Sequence, residues 1–305
     1  MLSKSVLAAL MAPLSLILAA TVWGLIWYPY RLLEQAGLTG SVASLLTYLI
    51  GIPLLLILVA RLRLRLAVRG ELGLLLALAL AAGWTNLAYV LAVIHGEVMR
   101  VLLLFYLAPL WTVFFARWLL GEHAGRIAYL VIGLSVAGAY VMLSGTGGLP
   151  LPTNLAEWLG LSAGIAFALT NVLTRKISAA PIALRSLWVF AGVVAWSALY
   201  AFYEGRTLQV VWTLDGWAWL MIAGIGVALL LATFAVQYGL THVPANQAIV
   251  ILLSELLVAA VASRLLAGET MDLREWIGGA MIVAATLFSG HLEPKSAPAM
   301  EPKNA

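Results

Sequence analysis

Met99–Glu122, MRVLLLFYLAPLWTVFFARWLLGE, is an apolar run that closes on Arg117, Gly121 and Glu122. Residues 246–269, NQAIVILLSELLVAAVASRLLAGE, close in the same way on Arg264, Gly268 and Glu269, at an offset of 147 positions. His95 and His242 keep that offset, as do Ala88 and Ala235. A chain of 305 residues that repeats itself just short of its midpoint reads as two copies of one unit. Two further stretches correspond. IGLSVAGAYVMLSG from Ile132 matches IGGAMIVAATLFSG from Ile277, and WGLIWYPYR from Trp23 matches FALTNVLTR from Phe167, with Arg31 opposite Arg175.

The composition says where such a unit can live. Apolar residues are 64% of the chain and charged residues 10%. A soluble domain holds roughly 45–50% and about 25%, so this chain cannot hide its apolar surface in water and belongs in a bilayer. Cysteine is absent, which excludes disulfides, thiolate metal sites and cysteine catalysis. The four histidines, His95, His123, His242 and His291, are too scattered to suggest a metal cluster. No cofactor is expected. The net charge of +4 does not mark a nucleic-acid binder, because the basic residues sit at the ends of apolar segments.

A membrane-spanning helix needs about 20 mostly apolar residues. Ten such segments can be read, at 8–30, 42–60, 72–93, 98–119, 127–145, 155–176, 185–203, 216–238, 245–266 and 274–290. The first is read as a retained helix and not as a signal peptide, since its apolar stretch runs on through Trp23 and Trp27. With the N-terminus inside, Lys4, Arg61, Arg63, Arg65, Arg69, Arg117, Arg126, Arg175, Lys176, Arg185, Lys295 and Lys303 fall on the inner side. Only Arg31, Arg100, Arg206, Arg264 and Arg274 fall outside, so both termini are expected in the cytoplasm.

The expected organisation is a first five-helix repeat over 1–145, a linker over 146–154, a second repeat over 155–290 and a disordered cytoplasmic tail over 291–305. An odd number of helices makes the second repeat enter from the opposite side. The fold class is therefore an all-α membrane protein of ten helices, two inverted five-helix repeats around a central cavity. Two similar halves can exchange shapes and open one site to each side in turn, the logic of a secondary transporter and not of an enzyme. The competing readings are a lipid flippase, or a membrane enzyme acting on a lipid-linked substrate. The second would need a phosphate-binding glycine loop, a His-Glu-x-x-His motif or paired mid-helix carboxylates, and the sequence contains none of them.

Trp23-Gly24, Ala108-Pro109 through Leu120-Gly121-Glu122, and the second Gly268-Glu269 make the chain resemble the drug/metabolite transporter superfamily in its ten-helix EamA-type branch. The resemblance covers roughly residues 10–290. It implies export of small organic metabolites, above all amino acids, from the cytoplasm of a bacterium across its inner membrane. The YddG-like exporters of aromatic amino acids are one compatible branch. It also implies a cavity lined by the first, third, fourth, sixth, eighth and ninth helices. Implied partners are the small-molecule substrate, protons as a candidate coupling ion and membrane lipids, with the chain a monomer or homodimer. One position departs from the pattern. Where family members often carry a proline opposite Pro109, this chain has Leu256, preceded by Glu255.

Glu255 is the leading functional candidate, because a charge near mid-bilayer costs at least ~2.5–3.5 kcal/mol unless it faces a cavity, a partner or a proton. Its functional reading is a partner for a substrate ammonium or a proton site; its structural one is a neutral acid bonded to a neighbouring helix. Trp23, Trp27, Trp84, Tyr106, Trp111, Asn171 and Tyr238 are the other candidate cavity residues, each weighed against ordinary helix packing. Asn86, Asn171 and Gln237 read as buried amides, and Tyr28 and Tyr30 as interfacial belt residues. His95, Arg100, His242 and Gln247 lie at segment ends and are candidates for a gate or mouth. Gly160, Gly164 and Ala168 form a small-residue stripe that predicts close helix packing.

Overall fold

A computed structural model describes residues 4–64, 70–121, 126–143, 151–177, 179–205, 208–242, 251–252 and 254–289. Its helices are α1 (Lys4–Gln35), α2 (Gly40–Arg61), α3 (Leu72–His95), α4 (Val98–Phe105), α5 (Ala108–Leu120), α6 (Arg126–Leu143), α7 (Leu155–Lys176), α8 (Ile182–Tyr203), α9 (Gly216–His242), α10 (Ser254–Ala262) and α11 (Leu273–Ser289). Among the described residues there is no strand. Among the described residues, seven spans are long and apolar enough to cross a bilayer, counting α4 and α5 together. The expected ten segments are helical where they are described, except for a turn at Tyr106–Leu107 in the fourth, and α1 is longer at both ends than the sequence suggested. The proposed tail lies outside the described residues, as does most of the proposed linker.

The fourth span is broken at Tyr106–Leu107, which the sequence reading had as one continuous helix. Pro109 sits at the start of α5 and has no N–H to give to the Phe105 carbonyl four residues back. That carbonyl does not stay bare. α7 crosses against it at Gly164, where a Cβ would overlap the Phe105 oxygen. The Gly160–Gly164–Ala168 stripe is therefore a packing device, with Gly160 against Val101 and Ala168 fully buried.

The helix contacts carry the repeat. Numbering the five spans of each half in order, exchange of the halves maps the main contacts onto one another. α3 on α7 becomes α9 on α1, α3 on α8 becomes α9 on α2, and α4–α5 on α7 becomes α10 on α1. α2 on α8 and α6 on α11 map onto themselves. The last of these crosses where Gly138 and Gly278 meet backbone to backbone. Almost all the strong contacts run between halves, so neither half has a packed core of its own.

The Arg-x-x-x-Gly-Glu endings also find their cause here. Gly121 caps α5, and Gly268 caps the π-helical turn Ser263–Ala267 that continues α10, both in the left-handed region, at φ 70° and 67°. Only glycine enters that region without strain, which is why both copies carry it at the last turn.

Large apolar residues point outward along the spans, with Phe202, Tyr203, Trp212, Trp217 and Trp276 exposed near one end and Phe114 and Trp118 towards the other. Exposed apolar surface of this kind suits lipid, and the aromatic groups suit its interfaces. Tyr30 is not part of that belt. It is buried, and its hydroxyl bonds to Thr47 at 2.9 Å.

Candidate functional site

The break in the fourth span sets up the site. Tyr106 lies in the turn between α4 and α5, and its hydroxyl donates to a carboxylate oxygen of Glu255 at 2.8 Å. Glu255 occupies the first turn of α10 and is buried. It can come so close because α1 presents Gly24, where a Cβ would lie 2.9 Å from the Glu255 carbonyl oxygen. The hydrogen bond joins the first half to the second inside the apolar layer. A buried carboxylate with a single hydroxyl donor keeps capacity for another partner.

Aromatic rings pack beside Tyr106. Phe105 packs on Tyr106, Tyr89 and Phe167, with ring centroids 5.8, 5.7 and 5.0 Å apart. The Tyr89 hydroxyl is buried, lies within electrostatic reach of Glu255 and has no hydrogen-bond partner. The indole N–H of Trp111 is likewise buried without a partner. Buried polar groups normally find partners, so an unoccupied donor beside a carboxylate is a feature that a ligand can complete.

A second set of polar groups closes one end of the bundle, where α1 finishes and α4, α7 and α11 begin. Arg31 of α1 pairs with Glu269 at 3.3 Å, donates to the Val93 carbonyl at 2.8 Å and to that of Gly96, and lies 4.8 Å from the ring centre of Trp27. Arg100 of α4 bonds Glu157 at 3.0 Å and Glu275 at 2.9 Å. Both carboxylates are also helix starters. Asn154 accepts from the Glu157 N–H at 2.9 Å and Asp272 from the Glu275 N–H at 2.8 Å, and each glutamate reaches back to a backbone N–H ahead of its helix. These are reciprocal capping boxes. Every cation in these pairs belongs to the first half, and every carboxylate to the second. Glu97, just ahead of α4, is held above the usual carboxylate range, first by desolvation and then by the neighbouring charge of Glu275, against the pull of Arg100.

Of the residues singled out from sequence, the structure brings Tyr106 and Glu255 into contact. Trp27 is buried in the same apolar cluster, where its indole N–H bonds the Gly24 carbonyl at 3.0 Å. Trp23 packs instead against the core shared by α1, α2, α3, α8 and α9. Trp84 lies apart from Glu255's cluster, bonded to Ser162 at 3.3 Å and packed on Trp196. Tyr238 sits beside Ala12 and Leu16. Asn171 is exposed and not a buried amide, whereas Asn86 is half-buried and bonds the Tyr48 hydroxyl at 2.7 Å. His95 is exposed, 3.7 Å from Glu34. Gln247 and the side chains of His242 and Gln237 lie outside the described residues. Sequence reasoning passed over Tyr89 and the partners of Arg31 and Arg100. The capping patterns Asn154-x-x-Glu157 and Asp272-x-x-Glu275 were the signal available for two of those partners.

A family model described as the EamA-like transporter family matches the chain twice, over residues 10–144 and 154–290. A protein named "Uncharacterized transporter" from Archaeoglobus fulgidus is 30% identical over 216 residues, which are 70% of this chain and 75% of that protein. A crystal structure at 16% identity aligns with 91% of this chain and 96% of its own, with a TM-score of 0.59, a likeness of fold alone. Two matched halves, an all-helical fold exposing apolar surface along its spans, and contacts that map onto themselves when the halves exchange agree with one another: the chain belongs to the EamA-like transporter family and is a membrane transporter of small molecules, not an enzyme.

Proposed function

We propose that the protein exports small amine-bearing metabolites, amino acids included, from the cytoplasm of a bacterium across the inner membrane by alternating access of its two repeats. The observation that carries this reading is the Tyr106–Glu255 hydrogen bond, which ties the broken span of one half to a buried carboxylate of the other. A site built from both halves changes shape when they rock. A substrate ammonium, or a proton, that takes Glu255 from Tyr106 alters a polar link between the halves that involves a buried carboxylate. In this reading, which the excess of basic residues on one side supports, both termini lie in the cytoplasm and the Arg31 and Arg100 pairs at the outer face. Their closure supports a state that loads from inside. Arg100 then belongs to the outer gate, with Glu157 and Glu275 as its partners.

The test is counterflow of labelled amino acids and amines in liposomes holding the purified protein, for the wild type, Glu255→Gln and Tyr106→Phe. Substrate-dependent flux in the wild type, lost in Glu255→Gln and reduced in Tyr106→Phe, is expected. Wild-type flux that does not vary with pH removes the proton from the scheme, and full activity in Glu255→Gln removes Glu255 from it. Flux with no substrate dependence overturns the proposal.

A further inference from the structure

The residues around Glu255 say more about the cargo than that it is small. An amino acid brings a carboxylate as well as an ammonium, and a buried carboxylate needs a cation or several N–H donors. Among the described residues, no cationic side chain acts on Glu255; the influences on it are burial and the Tyr106 hydroxyl. Arg31 and Arg100 are already committed to Glu269, Glu157 and Glu275 at the end of the bundle. Glu255 meets Tyr106, and Tyr89 with its unpartnered hydroxyl lies within its electrostatic reach; Phe105 packs on both tyrosines and Phe167 on Phe105. Aromatic faces attract cations, and more strongly where water is excluded. One carboxylate among aromatic rings is the chemistry that recognises an organic ammonium.

Resting on the transport reading above, we infer that the Glu255–Tyr106–Tyr89 site takes organic ammonium ions that lack a carboxylate, aromatic amines and amino-acid esters or amides among them, in preference to free amino acids. The ammonium replaces Tyr106 as the partner of Glu255 and sits against Phe105 and Phe167. Tyr89 supplies a hydroxyl to a neutral polar group such as an ester carbonyl. A free amino acid would leave its carboxylate buried with only tyrosine hydroxyls for company.

The test is calorimetric binding to the full chain in lipid nanodiscs, with phenethylamine, phenylalanine methyl ester and phenylalanine as probes. Phenethylamine and the ester are expected to bind with similar affinity, and phenylalanine at least tenfold more weakly. Glu255→Gln should weaken the two amines tenfold or more. Tyr89→Phe keeps the ring and removes only the hydroxyl; it should weaken the ester several-fold and leave phenethylamine unchanged. Phenylalanine binding as tightly as phenethylamine overturns the inference, as does the absence of amine binding, or amine binding equal to wild type in Glu255→Gln. Counterflow with the same probes separates the two claims. Amine-selective binding without flux sustains the ligand class and refutes export, whereas flux of phenylalanine in preference to the amine sustains export and refutes the class.

Discussion

Replacing Arg100 by glutamine, the residue found at its repeat counterpart Gln247, removes the one cation shared by Glu157 and Glu275. The side chains of the three are 18%, 5% and 8% exposed. Leaving a buried ion pair without one partner costs roughly 3–5 kcal/mol. The lower end applies here, since Glu157 keeps donors in Thr153 and Asn154 and Glu275 keeps the Asp272 N–H. Opening this end lets water reach both carboxylates, so the cost falls on the closed state. At about 1.4 kcal/mol per factor of ten, a loss near 3 kcal/mol raises the open fraction about a hundredfold. The chain has no cysteine, so a single Val98→Cys, at a fully buried position two residues before Arg100 at the start of α4, reports opening without background. Its labelling by an impermeant maleimide should quicken by one to two orders of magnitude when Arg100→Gln is added. Adding Glu157→Gln and Glu275→Gln should restore protection, because amides do not demand a cation. Unchanged labelling in Arg100→Gln, in protein that melts as the wild type does, would refute the gate.

Gly164→Ala forces a methyl into the Phe105 carbonyl and should lower thermal stability by ~1–3 kcal/mol, read by melting in detergent; Gly133→Ala, which faces open space, is the control and should not destabilise. Gly121→Ala and Gly268→Ala have room but adopt a left-handed backbone, and each should cost about 1–2 kcal/mol in the same measurement. Glu97 is held above its ordinary pKa of 4.5 in the folded chain. The fold therefore binds its proton more tightly than the unfolded chain does, and stability falls as pH rises from 4.5 through the raised value. Glu97→Gln should flatten that fall, with a melting temperature above wild type at pH 7 and equal to it at pH 4; because Glu97 is largely exposed, the gain should be small.

The architecture was largely legible because the bilayer leaves few choices. Apolar length predicts helices, and the shared endings at Gly121 and Gly268 predict the repeat. The break at Tyr106–Leu107 was not read, although Pro109 gives its cause: a proline removes one hydrogen bond, and whether the helix bends or breaks depends on what packs against the freed carbonyl. Here that is Gly164, which the sequence places far away. Glu255 stood out by its desolvation cost, and Tyr106 as an aromatic on the right span. Tyr89 did not stand out, because nothing local separates a partnerless tyrosine from a packed one. The ion pairs were hidden for a different reason. Each carboxylate already has a local role as a helix start, so its second, long-range partner leaves no mark in the sequence nearby.

The division of charge at this end has a consequence for assembly. Two copies of the first half would bring Arg31 and Arg100 together with none of Glu157, Glu269 or Glu275. Two copies of the second would confront those three carboxylates with neither arginine. Like halves lack these ion pairs at the surface where unlike halves bond. Shape alone permits three pairings of the two polypeptides, and electrostatics selects the mixed one. Cut between α6 and α7, the chain should still reassemble from its pieces as a heterodimer.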